Sequence, residues 1–242
     1  MYYFIDTILT DTSTGNPLYK TPIKYKRLLS LDWRVSSAKL VLNEIKKKIK
    51  VDTKKIAVLG ISEGFQVGAK LVSVNKNITH ALLMVGNGLS QFYDFIIQNR
   101  INAQIGIISE EEAQKNIDSL QTIYKDICRN GNSTEKEWYG HTYLRWNSFC
   151  QNQPVDNILS VNIPVYIVAS ANDKNTTVLS TDYLYLQSVL KGKNNINYLV
   201  YPYDHSFNEF IEDENGNTIS SKNHLEEVLD KAIIWLNNQE TK

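Results

Sequence analysis

The run Ile56-Ala57-Val58-Leu59-Gly60-Ile61-Ser62-Glu63-Gly64 decides how this chain is read. Ile56 to Leu59 is short and wholly apolar, as a strand buried on both faces requires. A G-x-S-x-G pentapeptide follows at once, and Glu63 to about Val74 carries apolar residues at helical spacing. A serine at a tight strand-to-helix turn projects its hydroxyl above the sheet edge. Glycines two positions either side, Gly60 and Gly64, remove Cβ atoms expected to collide there. The backbone N–H of Glu63 then lies at a helix N-terminus, where unpaired donors and the dipole favour a developing oxyanion. The same turn also reads as a tightly packed glycine turn or a phosphate site. No Lys-Ser/Thr pair follows the glycines, so the pattern excludes a P-loop.

Working outward, Ala81 to Val85 predicts a second buried strand, Val165 to Ala169 a third after Pro164, and Asn197 to Tyr201 a fourth that stops at Pro202. Upstream, Tyr2 to Leu9 reads as a strand, and a polar stretch from Thr10 to Tyr19 carries Gly15 and Pro17. Trp33 to Ile49 has apolar residues at Val35, Ala38, Leu42, Ile45 and Ile49, a helix ending in Lys46, Lys47 and Lys48. Leu225 to Leu236 predicts a closing amphipathic helix with Val228, Leu229, Ala232, Ile233 and Leu236 inward. Strands alternating with helices predict an α/β domain, a mainly parallel sheet flanked by helices. Gly86 to Ile163 shows helical but no strand periodicity. Its aromatic residues read as core or inter-helix packing.

The 242 residues fit one large α/β domain. Twenty-six basic residues against 26 acidic ones argue against an electrostatic grip on nucleic acid or anionic lipid. No apolar run approaches the roughly 20 residues of a membrane span. The opening Met1 to Asp6 lacks a basic region and a small-residue cleavage site, which predicts a cytoplasmic protein as written. Cys128 and Cys150 are too few for a disulfide scaffold or a zinc site.

A hydroxyl nucleophile at neutral pH needs a base, and imidazole has the right pKa. Of four histidines, His80 precedes a buried strand on its far side, His141 falls in the helical insertion, and His224 is placed at the exposed start of the last helix. His205 follows a strand C-terminus in Tyr201-Pro202-Tyr203-Asp204-His205-Ser206-Phe207, where open parallel sheets collect catalytic groups. Asp173, after the strand ending at Ala169, is the expected orienting carboxylate. Asp204 adjoins the histidine and is the weaker partner, and Asp182 reads as a helix cap. Glu63 supplies favourable charge at a helix N-terminus, with attraction of a cationic substrate as the sharper alternative. Arg34 and Arg100 read as pairing residues, and Trp138-Tyr139-Gly140-His141 with Trp146 as packing in the insertion.

From about Trp33 to the C-terminus the chain resembles the α/β-hydrolases, similar to their dienelactone-hydrolase and prolyl-oligopeptidase-like branches. The residues that carry the resemblance are Gly60-Ile61-Ser62-Glu63-Gly64, Asp173 and His205, in the order nucleophile, acid, base. It implies a single domain over residues 1–242, with 86–163 as a helical cap over the substrate. It also implies hydrolysis of an ester, thioester or peptide through an acyl-serine intermediate, on a small-molecule ester or peptide-like substrate, with no metal or organic cofactor. The family's glycine-rich oxyanion loop has no counterpart, since Gly15 is the one glycine before Gly60. The second oxyanion donor stays unassigned, and the expectation is a shortened sheet or a chain lacking an N-terminal segment. A non-catalytic binding protein on a degenerate hydrolase scaffold is the alternative.

Overall fold

The computed structural model describes residues 8–10, 17–19, 22–213 and 218–239. In chain order, β1 (Ile8–Thr10) and β2 (Pro17–Tyr19) pair antiparallel and precede α1 (Ile23–Leu28) and α2 (Leu31–Lys48). The deciding stretch forms β3 (Ala57–Ile61) and α3 (Glu63–Val74), followed by β4 (His80–Met84). Next come α4 (Gln91–Gln104), α5 (Glu110–Arg129), the short strands β5 (Glu137–Trp138) and β6 (His141–Thr142), α6 (Tyr143–Cys150) and α7 (Pro154–Leu159). The chain continues through β7 (Val165–Ser170), α8 (Val178–Leu190), β8 (Ile196–Tyr201), β9 (Asn208–Glu212), β10 (Thr218–Asn223) and α9 (Leu225–Asn238).

The apolar runs of β3, β4, β7 and β8 assemble in chain order into a four-stranded parallel sheet. Each crossover carries helix, because a parallel return needs a long connection. Side chains alternate between two cores. Leu83 and Ile167 face Phe65 and Ala69 of α3, Leu31 and Val35 of α2, and Ile158 of α7. Leu82, Met84, Tyr166 and Val168 face Val228 and Ala232 of α9, with Tyr203 and Phe207. Each of the Val, Leu, Ile, Phe and Met side chains among these contributes about 1.5–3 kcal/mol on burial. Ser30 starts α2 by accepting from the Trp33 N–H, the expected economy of a serine N-cap.

Several expectations change. The strand predicted over Tyr2 to Leu9 lies outside the described residues up to residue 7, as does Gly15. Ile8–Thr10 joins β2 and not the parallel sheet. β3 is buried on neither face throughout: among the described residues no strand pairs with its outer side, and Leu59 is half exposed. Its apolar sequence reflects strand type, and periodicity carries no information on sheet position. Ile45, Ile49 and Ile233 face outward, because their helices bury a narrower stripe than the spacing implied. Residues 86–163 contain the β5–β6 hairpin, and α7 belongs to the main core. The β9–β10 hairpin was not foreseen: both strands are largely exposed and lack an apolar alternation. No helix among the described residues is long and apolar enough to cross a membrane.

Candidate active site

At the end of β3 the backbone turns so tightly that Ser62 adopts φ 56° and ψ −123°, a left-handed position that costs a residue with a Cβ about 1–3 kcal/mol. Such strain persists because the neighbours hold it. The Ser62 N–H donates to the Met84 carbonyl at 3.0 Å, and the Ser62 carbonyl accepts from Phe65 N–H at 2.9 Å. Gly60 is required sterically, since a Cβ there would lie 2.2 Å from the Gly64 carbonyl oxygen. Gly64 is not: a Cβ at that position meets nothing within 4 Å, so only one of the two glycines performs the expected clearance. As the first residue of α3, Glu63 has an N–H without an intrahelical acceptor.

The loops after β7 and β8 bring the other candidates to this turn. His205 Nε2 is 2.9 Å from Ser62 Oγ, and His205 Nδ1 is 2.7 Å from Asp173 Oδ2. Asp173 is buried. Its Oδ1 accepts from the N–H groups of Asn175 (2.7 Å) and Thr176 (3.0 Å), and its Oδ2 accepts from Thr176 Oγ1 at 2.6 Å. Burial works to raise its pKa, but the hydrogen bonds from His205, Thr176 and Asn175 outweigh it and hold the carboxyl below its ordinary value. An ionised Asp173 fixes the proton on Nδ1, which leaves Nε2 free to accept from the serine hydroxyl.

The rival residues are otherwise engaged. Asp204 turns its carboxylate into its own loop, accepting from the N–H groups of Ser206 (2.8 Å) and Asn208 (2.7 Å). Asp182 is no cap: it lies inside α8, whose N-cap is Thr177, and accepts from Tyr198 Oη at 2.7 Å. His224 is buried, not exposed, with its ring nitrogens 2.9 Å from Glu209 and 3.0 Å from Glu227 and its face stacked on Tyr203. His80 opens β4 and contacts Thr79 Oγ1 at 2.8 Å. Arg100 donates to Gln114 Oε1 at 2.6 Å.

Glu63 has a partner that local sequence does not reveal. Its two carboxylate oxygens accept from Arg34 Nη1 of α2 at 3.0 Å and from Arg145 Nη2 of α6. Arg145 is only 3% exposed and stacks on Trp146 and Phe149. The aromatic residues of the insertion pack on one another: Phe92, Tyr143 and Trp146 form a cluster with Trp138, whose carbonyl accepts from Trp146 Nε1 at 2.7 Å. Sequence reasoning also missed Asp94 of α4, a buried carboxyl beside Thr177. Burial, reinforced by the charge of nearby Asp173 against hydrogen bonds from Thr177, pushes Asp94 up to about 8. Beside the site, a cavity of about 800 Å³ is bordered by Asp173 and His205 and has a mixed lining, with Ile105 and Phe210 beside Asn172, Lys174 and Glu209.

A parallel sheet with helices on both faces, a serine on a strained strand-to-helix turn, and carboxylate and imidazole on the next two strand ends define the α/β-hydrolase fold. Solved structures agree. Dipeptidyl peptidase 4 of Porphyromonas gingivalis superposes with a TM-score of 0.53 at 11% identity, over 88% of this chain and 24% of that one. The α/β hydrolase GrgF of Penicillium sp. sh18 gives 0.50 at 11% identity, over 86% of this chain and 72% of that one. A Pyrococcus furiosus esterase gives 0.50 at 12% identity, over 86% and 62%. The chain spans about a quarter of the peptidase chains it matches. No family model and no curated protein matches the sequence.

Proposed function

We propose that this protein is a serine hydrolase that cleaves a carboxylic ester or peptide-like acyl bond through an acyl-serine intermediate. The observation that carries the reading is one imidazole spanning two partners, Ser62 Oγ at 2.9 Å and Asp173 Oδ2 at 2.7 Å. Both distances lie within the reach that proton transfer needs. In this reading Ser62 Oγ attacks the substrate carbonyl carbon as its proton passes to His205 Nε2. The carbonyl electron pair moves to oxygen, where the Glu63 N–H donates to the developing charge. Collapse breaks the bond to the alcohol or amine, which takes the proton from His205. Water, giving its proton to the same nitrogen, then releases the acid and restores Ser62. Asp173 holds the imidazole in its tautomer and stabilises the imidazolium.

The strained φ of Ser62 supports the same role, since strain of this kind collects where a side chain must be presented. The cavity beside His205 mixes apolar residues such as Ile105 and Phe210 with polar ones such as Asn172, Lys174 and Glu209, and so supports a substrate with both apolar and polar parts. Glu63 gives no support to a cationic substrate, because two arginines already hold its carboxylate.

Hydrolysis of short p-nitrophenyl esters tests the reading. Ser62→Ala and His205→Ala are each expected to lower the rate at least a hundredfold while the protein stays folded. Turnover that survives either change undiminished overturns the assignment. A folded wild-type protein that neither turns over esters nor reacts with a serine-directed probe would favour a binding protein on the same scaffold.

A further inference from the structure

We propose that the cavity beside His205 receives the leaving group of the substrate, a large, uncharged alcohol or amine with an apolar body. Given a serine hydrolase at Ser62, on which this proposal rests, the direction of proton transfer fixes where that group departs. Ser62 Oγ forms a bond to the carbonyl carbon, and the C–O or C–N bond then breaks with its electron pair passing to the departing atom. That atom takes the proton held on His205 Nε2. It therefore lies within hydrogen-bond reach of the imidazole, about 3 Å, and whatever it carries extends past the ring. The acyl chain starts instead from the carbon bonded to Ser62, and the oxyanion points toward the Glu63 N–H.

The cavity lies on the departing side. Its wall includes His205 and also Asp173, which stands behind the imidazole at 2.7 Å from Nδ1. Neither Ser62 nor Glu63 is among its lining residues. A substrate portion held here has crossed the histidine, and the part beyond the scissile bond is the one placed to do so. At about 800 Å³ the space falls in the range that holds whole organic ligands, far more than a methyl alcohol or ammonia would use.

Three elements bring uncovered apolar side chains to this one space. Ile105 caps the end of α4, Leu179 stands in the first turn of α8, and Phe210 lies in β9, each half exposed or more. Single exposed apolar residues are ordinary, whereas a set converging on a cavity marks a ligand surface. The carboxylates of the wall are already engaged: Asp173 by His205, Asp204 by N–H groups of its own loop, and Glu209 by His224 at 2.9 Å. That removes the demand for a cation. The same three carboxylates, facing Lys174 as the one lysine of the lining, stand against an anion.

Hexyl acetate and ethyl hexanoate test the assignment, because they are isomers with the longer chain on opposite sides of the ester bond. The wild type is expected to hydrolyse hexyl acetate with a kcat/KM about tenfold or more above that for ethyl hexanoate. Phe210→Ala and Ile105→Ala, from different walls, are each expected to cut that ratio about threefold or more with unchanged far-ultraviolet circular dichroism. Both side chains are already exposed, and if one variant fails to fold the other decides. Leu186→Ala, on α8 but outside the cavity, is expected to leave the ratio unchanged. A wild type that favours ethyl hexanoate, or that does not distinguish the isomers, overturns the assignment and leaves the serine-hydrolase reading standing. So does a ratio that ignores both lining variants. Hydrolysis of neither ester overturns it as well, and if Ser62 also takes no fluorophosphonate the hydrolase reading falls with it.

Discussion

Arg145, almost wholly buried, donates to the carboxylate of Glu63, the residue that follows Ser62. This single contact ties the insertion between β4 and β7 to the turn that presents the serine. Arg145 Nε and Nη1 have no hydrogen-bond partner, so Glu63 is what compensates the buried charge. Glu63→Gln is therefore expected to destabilise the fold by about 1–2 kcal/mol, because it removes the charge from a hydrogen bond to a buried guanidinium while Glu63 itself stays partly exposed. Urea unfolding at neutral pH measures it. A change inside 0.5 kcal/mol would mean that the guanidinium is solvated in some other way.

The two glycines of the turn are expected to behave differently. At Gly60 an added methyl meets the Gly64 carbonyl oxygen at 2.2 Å, backbone that moves only with the turn itself. Gly60→Ala should cost about 3 kcal/mol or more and abolish activity. At Gly64 the methyl meets open space in the first turn of α3, and Gly64→Ala should be neutral or stabilise by up to about 1 kcal/mol. Thermal unfolding of the two variants side by side separates them, and equal losses would contradict the geometry.

Asp94 makes stability depend on pH. Its folded pKa of about 8 lies above the unfolded value of 3.8, so the unfolded state holds fewer protons between those values. The slope of stability against pH is then negative, and the stabilisation present below about pH 4 is lost as pH rises toward 8. Asp94→Asn keeps an acceptor for Thr177 and removes the ionisation. It is expected to match the wild type near pH 4 and to exceed it by a few kcal/mol near pH 8. Parallel unfolding curves at the two pH values would refute this.

Asp173 and Asp204 are neighbours of the same imidazole in different senses. Asp173 contacts Nδ1, whereas Asp204 ties down its own loop. Asp173→Asn should lower ester hydrolysis about a thousandfold or more, because the neutral amide no longer enforces the tautomer. Asp204→Asn should stay within about tenfold of wild type. The opposite ranking would transfer the orienting role to Asp204.

The parts of this fold legible in the sequence are those that local physics determines. Buried parallel strands demand continuous apolar runs, and Ala81–Val85 and Val165–Ala169 supply them; Ile56–Leu59 offers the same run and forms a strand of the sheet, but Leu59 stays half exposed. The loops after such runs pointed to Ser62, Asp173 and His205, and the fold places the imidazole within hydrogen-bond distance of both partners. What stayed hidden depends on neighbours distant in the chain. An apolar strand reads alike whether central or, as β3 is among the described residues, at the end of the sheet. The pairing of Glu63 with Arg34 and Arg145 spans three helices, and the burial of Asp94 and His224 comes from the elements that close over them. The β9–β10 hairpin escaped because it buries almost nothing, so no hydrophobic period marks it.

The most direct test of the central claim is reaction with a fluorophosphonate followed by peptide mapping by mass spectrometry. One adduct on Ser62 is expected, lost in Ser62→Ala and strongly slowed in His205→Ala. A folded protein that carries no adduct on Ser62, or that labels equally when Ser62 is alanine, would contradict the account.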